Sequence, residues 1–169
     1  MKAKRSHLQL NSYSLFEFLF NVNTDYDDEL NLKSLIISPD LDFHWSKVEN
    51  NSFLCALKIR IDDESIENEG TVTPYKITMD IAGIFYFEGV EYDEVDNFTQ
   101  EEDGKEIDLR DFKYTNAPAM LYGIARSKIS QITAESMYGE FIIPSVNLIK
   151  TFASDLNDRK DEIAEDSGE

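Results

Sequence analysis

The chain has 169 residues, 41% of them hydrophobic, with 34 acidic against 16 basic side chains and a net charge of −18. This length and apolar content suit one domain with its own core. The acidic balance argues against a nucleic-acid surface, which is built from Lys and Arg, and against an anionic membrane face. No apolar run approaches the roughly 18 residues of a membrane-crossing helix.

Met1 to Arg5 is basic, but the apolar stretch after it contains Glu17 and lacks a small-residue cleavage site. It is not read as a signal peptide, so the cytoplasm is the expected compartment. Leu8 to Phe20 alternates and then turns aromatic (Tyr13, Phe16, Phe18, Phe20), which predicts one long strand bulged near Ser14. Asn21 to Ser46 has little periodicity and reads as a long connection carrying Leu35-Ile36-Ile37, Pro39, Phe43, His44 and Trp45. Ser52 to Asp62 is a strand with Leu54, Ala56, Ile59 and Ile61 among its apolar positions, and Asp63 to Gly70 an acidic turn. Tyr75 to Phe87 is the clearest strand. Tyr75, Ile77, Met79 and Ile81 point one way, Lys76, Thr78 and Asp80 the other. Gly83 interrupts it as a bulge or a close backbone approach would.

Val90 to Arg110 is acidic and reads as loop. From Ala117 the period lengthens to about 3.6 residues. Leu121, Ile124, Ala125, Ile129 and Ile132 then share one stripe of a helix, with Pro118 in its first turn. Gly123 within it suggests the close approach of another backbone. Gly139 ends the segment, and Pro144-Ser145-Val146-Asn147 opens a second helix whose apolar side holds Val146, Leu148, Ile149, Phe152 and Leu156. Residues 1–156 are expected to form a single domain, and the acidic tail 157–169 to be disordered.

Little in the chain points to catalysis. Two histidines, His7 and His44, and one cysteine, Cys55, are too few and too widely spaced for a zinc site or a nucleophile–base pair. Cys55 lies in an apolar run and reads as a buried, inert thiol. The acids Asp25 to Glu29 imitate the start of a calcium loop. Its pattern requires Gly at the sixth position and Glu at the twelfth, where this chain has Leu30 and Ile36. No Gly-rich phosphate loop is present, and the Asn97-Phe98-Thr99 sequon carries no weight in a cytoplasmic chain. No metal, cofactor or enzymatic activity is expected.

Three blocks in order do point to a family. Leu8-Gln9-Leu10 with Phe20 beyond, Ile84-Phe85-Tyr86-Phe87-Glu88-Gly89, and Met120-Leu121, Ala125-Arg126, Ile129 and Pro144 to Asn147 together resemble the SecB-type protein-export chaperones, over about Leu8 to Leu156. The resemblance implies an α+β fold: a four-stranded antiparallel sheet, a long crossover between strands 1 and 2, and two C-terminal helices packed on one face. It implies a dimer of dimers with the long helix between dimers, so that Leu121, Ile124 and Ile132 form the oligomer interface; the same stripe also reads as cover for the chain's own sheet. It further implies ATP-independent holding of unfolded or nascent polypeptide in extended apolar grooves. Tyr75, Ile77, Met79 and Ile81 would line the floor of such a groove and Trp45 would flank it. For each of these residues ordinary core is an equal reading.

Family members also dock a translocase motor ATPase through acids on the exposed sheet face. Glu17 matches one such position, whereas Asn21 and Thr78 stand where acids are expected and Lys76 replaces an apolar neighbour. A SecB-like chaperone for a dedicated client, such as an antitoxin, accounts for these departures as well as an export role does. Two other readings compete. One is a SecB-like module that binds a single folded partner without chaperone work. The other is an acidic mimic of nucleic acid, ranked low because any acidic protein invites it.

Overall fold

The computed structural model describes residues 6–26, 37–49, 51–66, 72–95, 99–102 and 105–148. Four strands, β1 (Leu8–Val22), β2 (Asp40–Glu49), β3 (Ser52–Ile61) and β4 (Tyr75–Phe87), form one antiparallel sheet in the order β1-β4-β3-β2. The first two strands therefore occupy opposite edges, and the connection between them crosses the sheet. This is the four-stranded α+β architecture expected. It includes one strand beyond the three that pattern alone had shown: β2 lies where a long connection was read, and it carries His44 and Trp45. Its alternation is regular, with Leu41, Phe43 and Trp45 half-buried and Asp40, Asp42 and His44 exposed.

Period-two patterning sets which face is covered. On β3, Phe53, Cys55, Leu57, Ile59 and Ile61 are buried; on β4, Tyr75, Ile77, Met79, Ile81, Phe85 and Phe87 are buried. Leu54 and Ala56 lie on the opposite, outer face. The long strand β1 departs from its register with β4 twice, between Leu10 and Ser12 and between Leu15 and Glu17. The bulge read near Ser14 is thus two irregularities flanking it. Phe53 stacks on Phe85 and Phe87 with ring centroids 5.6 and 5.5 Å apart, making a rigid aromatic centre at one end of the core.

The stretch from Val90 to Arg110 is more ordered than its acidity suggested. It contains a small antiparallel hairpin, β5 (Thr99–Glu102) and β6 (Lys105–Asp108), and then a helical turn, α1 (Leu109–Asp111). A π-helical turn, Phe112–Asn116, leads into α2 (Ala117–Thr133). Leu121, Tyr122, Ala125 and Ile129 of α2 are buried against the sheet. Gly83 is the point of closest approach: a Cβ there would lie 2.9 Å from Leu10 Cδ1 and 3.0 Å from Leu121 Cδ2. The strand pairs straight through Gly83, so close approach rather than a bulge is its role.

Leu121 sits at Gly83, and the turn beyond Thr133 returns to Tyr75, so α2 runs antiparallel to β4. Gly139 closes that turn with φ +75°, a conformation glycine adopts without strain. Residues 141–147 are then irregular and Leu148 is helical. The second helix does not begin at Pro144 as expected. The part expected beyond Leu148 lies outside the described residues, as does the acidic tail.

Candidate functional site

The face of the sheet beneath α2 holds every residue expected in a groove, and the structure divides them sharply. Tyr75, Met79 and Ile81 are 0% exposed and Ile77 is 1% exposed. They are core, not an open floor. Alternation correctly placed them on one face, but β1, α2 and the segment after α2 seal it. Tyr75 is packed by Phe20, Tyr138 and Phe141 at centroid distances of 5.1, 5.9 and 5.9 Å. Its hydroxyl accepts from Tyr138 N and donates to Gly139 O, each at 2.9 Å. Burial pushes its pKa up.

Trp45 differs, being half-buried on the edge strand β2. Its ring stacks on Phe43 at 5.9 Å and meets Tyr114 edge-on at 5.3 Å, and its indole N–H donates to Lys113 O at 3.3 Å. Lys113 is itself buried, with its ammonium 4.1 Å from the Tyr92 ring centroid and 4.8 Å from that of Tyr114. Such contacts favour a desolvated cation through the ring quadrupole. On the opposite edge, Phe18 and Phe20 of β1 stack at 6.2 Å and are half-buried. Each edge strand thus carries an i, i+2 aromatic pair, partly open to solvent, on the helix-bearing side. Phe18, Phe20 and Phe43 had not been singled out as site residues; their spacing of two, matching that of Trp45, was the available signal.

The expected oligomer stripe also divides. Leu121 is 0% exposed and belongs to the core beside Gly83, Ile124 is half-buried, and Ile132 is 37% exposed. Beside them Met120 is exposed, and across a cleft Tyr13 and Leu15 of β1 are 44% and 42% exposed although they face the helix layer. The cleft continues along the helix. One section, about 620 Å³, is lined by Leu8, Leu10, Ala119 and Met120, and the next, about 490 Å³, by Tyr13, Met120, Gly123, Ile124 and Lys128. Nothing lies within 4 Å of a Cβ built on Gly123, so among the described residues no other backbone approaches it.

Glu17 is exposed on the outer face, in register with Asp80, which pairs in turn with Lys58. Lys76 on that face is bound by Asp63 at 2.6 Å, a contact that raises its pKa. Cys55 is buried and its thiol is pushed up to about 12 by that burial. Among the described residues no group of three or more His, Cys, Asp or Glu side chains is placed to hold a metal, and no helix is long and apolar enough to cross a membrane.

A turn-and-strap structure follows α2. Phe141 N donates to Thr133 Oγ1 at 2.8 Å, Arg126 Nε donates to Ile143 O at 2.9 Å, and Tyr122 OH donates to Pro144 O at 2.6 Å. Burial raises the Tyr122 phenol to about 12, with Arg126 acting in the opposite sense. Tyr138 OH lies 3.3 Å from both Asn23 O and Tyr26 O, tying the start of the crossover to the end of the helix turn.

No family model and no curated protein matches the chain. Solved structures do. A SecB-like chaperone of Mycobacterium tuberculosis, in complex with a ChAD peptide from an antitoxin, is similar over 83% of this chain and 91% of its own, with a TM-score of 0.57 and 13% identity. A protein of unknown function from Streptococcus agalactiae is similar over 82% of this chain and 97% of its own, with a TM-score of 0.51 and 11% identity. At these identities the likeness establishes a shared SecB-like fold.

Proposed function

We propose that the chain is an ATP-independent holdase that binds unfolded or nascent polypeptide, acting in the cytoplasm for export or for a dedicated client such as an antitoxin. The observation that carries this reading is the pair of half-open aromatic rows, Phe18 and Phe20 on one edge strand and Phe43 and Trp45 on the other. An unfolded client offers apolar side chains in no fixed order. Partly exposed rings on a rigid sheet give large contact area at little entropic cost, and several weak sites on one client add up. The antitoxin peptide bound by the Mycobacterium tuberculosis relative in fold supports a polypeptide client.

The Tyr13, Leu15, Met120, Ile124 and Ile132 surface flanking the cleft suits a second copy of the chain, in line with a dimer of dimers. Glu17, exposed on the outer face, is the position proposed for contact with a translocase motor. Titration with a reduced, permanently unfolded polypeptide, and in parallel with its folded form, tests the reading. Trp45 is the chain's single tryptophan and reports binding directly. Binding confined to the unfolded form is expected; equal affinity for both forms, or none for either, overturns it. One observation favours a second reading, a module for one folded partner: the residues expected to line an open groove are sealed core.

A further inference from the structure

Residues 141–148 lie in the structure as a bound peptide would. Phe141 and Ile143 are buried, while Ile142 between them is 60% exposed. That is the side-chain alternation of an extended segment, yet no strand pairs with it among the described residues. Its main chain is held instead by side chains of α2. The carbonyls of Ile143 and Pro144 accept from Arg126 Nε and Tyr122 OH, and the amide of Phe141 donates to Thr133 Oγ1. Arg126 also donates through Nη1 to Ser145 Oγ, at 3.1 Å.

Recognition of this kind reads carbonyls and alternate apolar side chains, not sequence. Pro144 fits such a segment, because its carbonyl, not an amide, is what Tyr122 binds. The segment follows a glycine turn. Gly139 stands at φ +75°, and the Tyr75 hydroxyl grips the chain at Tyr138 N and Gly139 O, just before the strap begins. The strap covers Tyr75, whose ring meets Phe141 edge-on.

We infer that the segment 141–148 is an internal occupant of a client site on the Tyr122–Arg126–Thr133 flank of α2. An extended peptide with apolar residues at alternate positions displaces it by pivoting at Gly139. The inference rests on the holdase reading and adds to it the site, the client conformation and a built-in competitor. Displacement takes Phe141 off the Tyr75 ring, while Phe20 and Tyr138 stay packed on it. Because only the fraction with the strap undocked is competent, loosening the strap raises apparent affinity.

The test uses the full chain and a reduced, carboxymethylated unfolded polypeptide, read by hydrogen exchange. At saturating client the Phe141 amide, held by Thr133 Oγ1, exchanges about tenfold faster or more, while those of α2 keep their protection. Unchanged or slower exchange at Phe141 with client bound overturns the strap inference and leaves the holdase reading intact. If no client binds, both fall. Ile143→Ser removes the strap's buried anchor and is expected to tighten client binding about tenfold in a variant with native circular dichroism. Unchanged or weaker binding in that folded variant also overturns the inference.

Discussion

Gly83→Ala places a methyl group where the core has no room. The new Cβ would sit 2.8 Å from Phe85 Cε2, 2.9 Å from Leu10 Cδ1 and 3.0 Å from Leu121 Cδ2, against the ~3.5 Å or more at which carbon contacts are favourable. The two leucine ends can turn aside. Phe85 has less freedom, because its ring is stacked on Phe53, which also stacks on Phe87 and meets Tyr92 at a tilt. Overpacking of a tight core costs about 1–3 kcal/mol, and the reduced freedom of the unfolded chain offsets about 0.4–1 kcal/mol of that. A net loss of about 1–2 kcal/mol is expected. Urea unfolding at one fixed protein concentration, followed by far-ultraviolet circular dichroism, measures it; the concentration is fixed because self-association would add to stability. With a slope of about 2 kcal/mol per molar urea, the midpoint should fall by roughly 0.5–1 M. Gly123→Ala is the internal control. The same methyl enters open space in mid-helix, and a gain of about 0.8–1 kcal/mol is expected. A midpoint that is unchanged or raised in Gly83→Ala refutes the close packing of α2 on β4.

Two further outcomes are expected. Met120→Arg puts a charge into the apolar cleft between β1 and α2; sedimentation analysis should show a smaller assembly with native circular dichroism, and an unchanged mass would discount that face as a self-association surface. The Cys55 thiol stands near 12 in the fold against 9.0 for the free group. Its protonated burial therefore stabilises fully below pH 9 and is lost as pH rises towards 12, because the unfolded chain ionises first. Stability should fall there by about 1.4 kcal/mol per pH unit more steeply than in Cys55→Ala, and matching slopes would contradict the burial.

Much of this fold was legible because burial follows simple periods. The alternation from Tyr75 to Ile81 named the covered face residue by residue, and the change of period at Ala117 placed the helix. What hid was acidic. Asp40-Leu41-Asp42-Phe43-His44-Trp45 alternates as cleanly as β4, but an edge strand open on one side keeps charges that read as loop. The hairpin β5–β6 was obscured in the same way, although the Asp-Gly pair at 103–104 is a hairpin signal in sequence. Whether the covered face is open or sealed was not legible, for a different cause. Period tells which residues share a face, not what lies over it, and the cover on Tyr75 comes from residues more than sixty positions away, Tyr138 and Phe141. Gly123 shows the converse: a mid-helix glycine suggested a close neighbour, and the described residues supply none.

The strand order also governs the order of assembly. β2 and β3 are joined by a short turn and can zip together as soon as they are made, and β4 then adds to β3. β1 is synthesised first yet pairs only with β4, so Leu8 waits for Phe87 to emerge. Such non-local pairing is slow. Throughout that interval a segment bearing Tyr13, Phe16, Phe18 and Phe20 has no partner strand and leaves four aromatic rings uncovered. The large negative charge then acts on kinetics, holding growing chains apart until the last edge closes. The chain is, by its own topology, exposed to aggregation while it is being made.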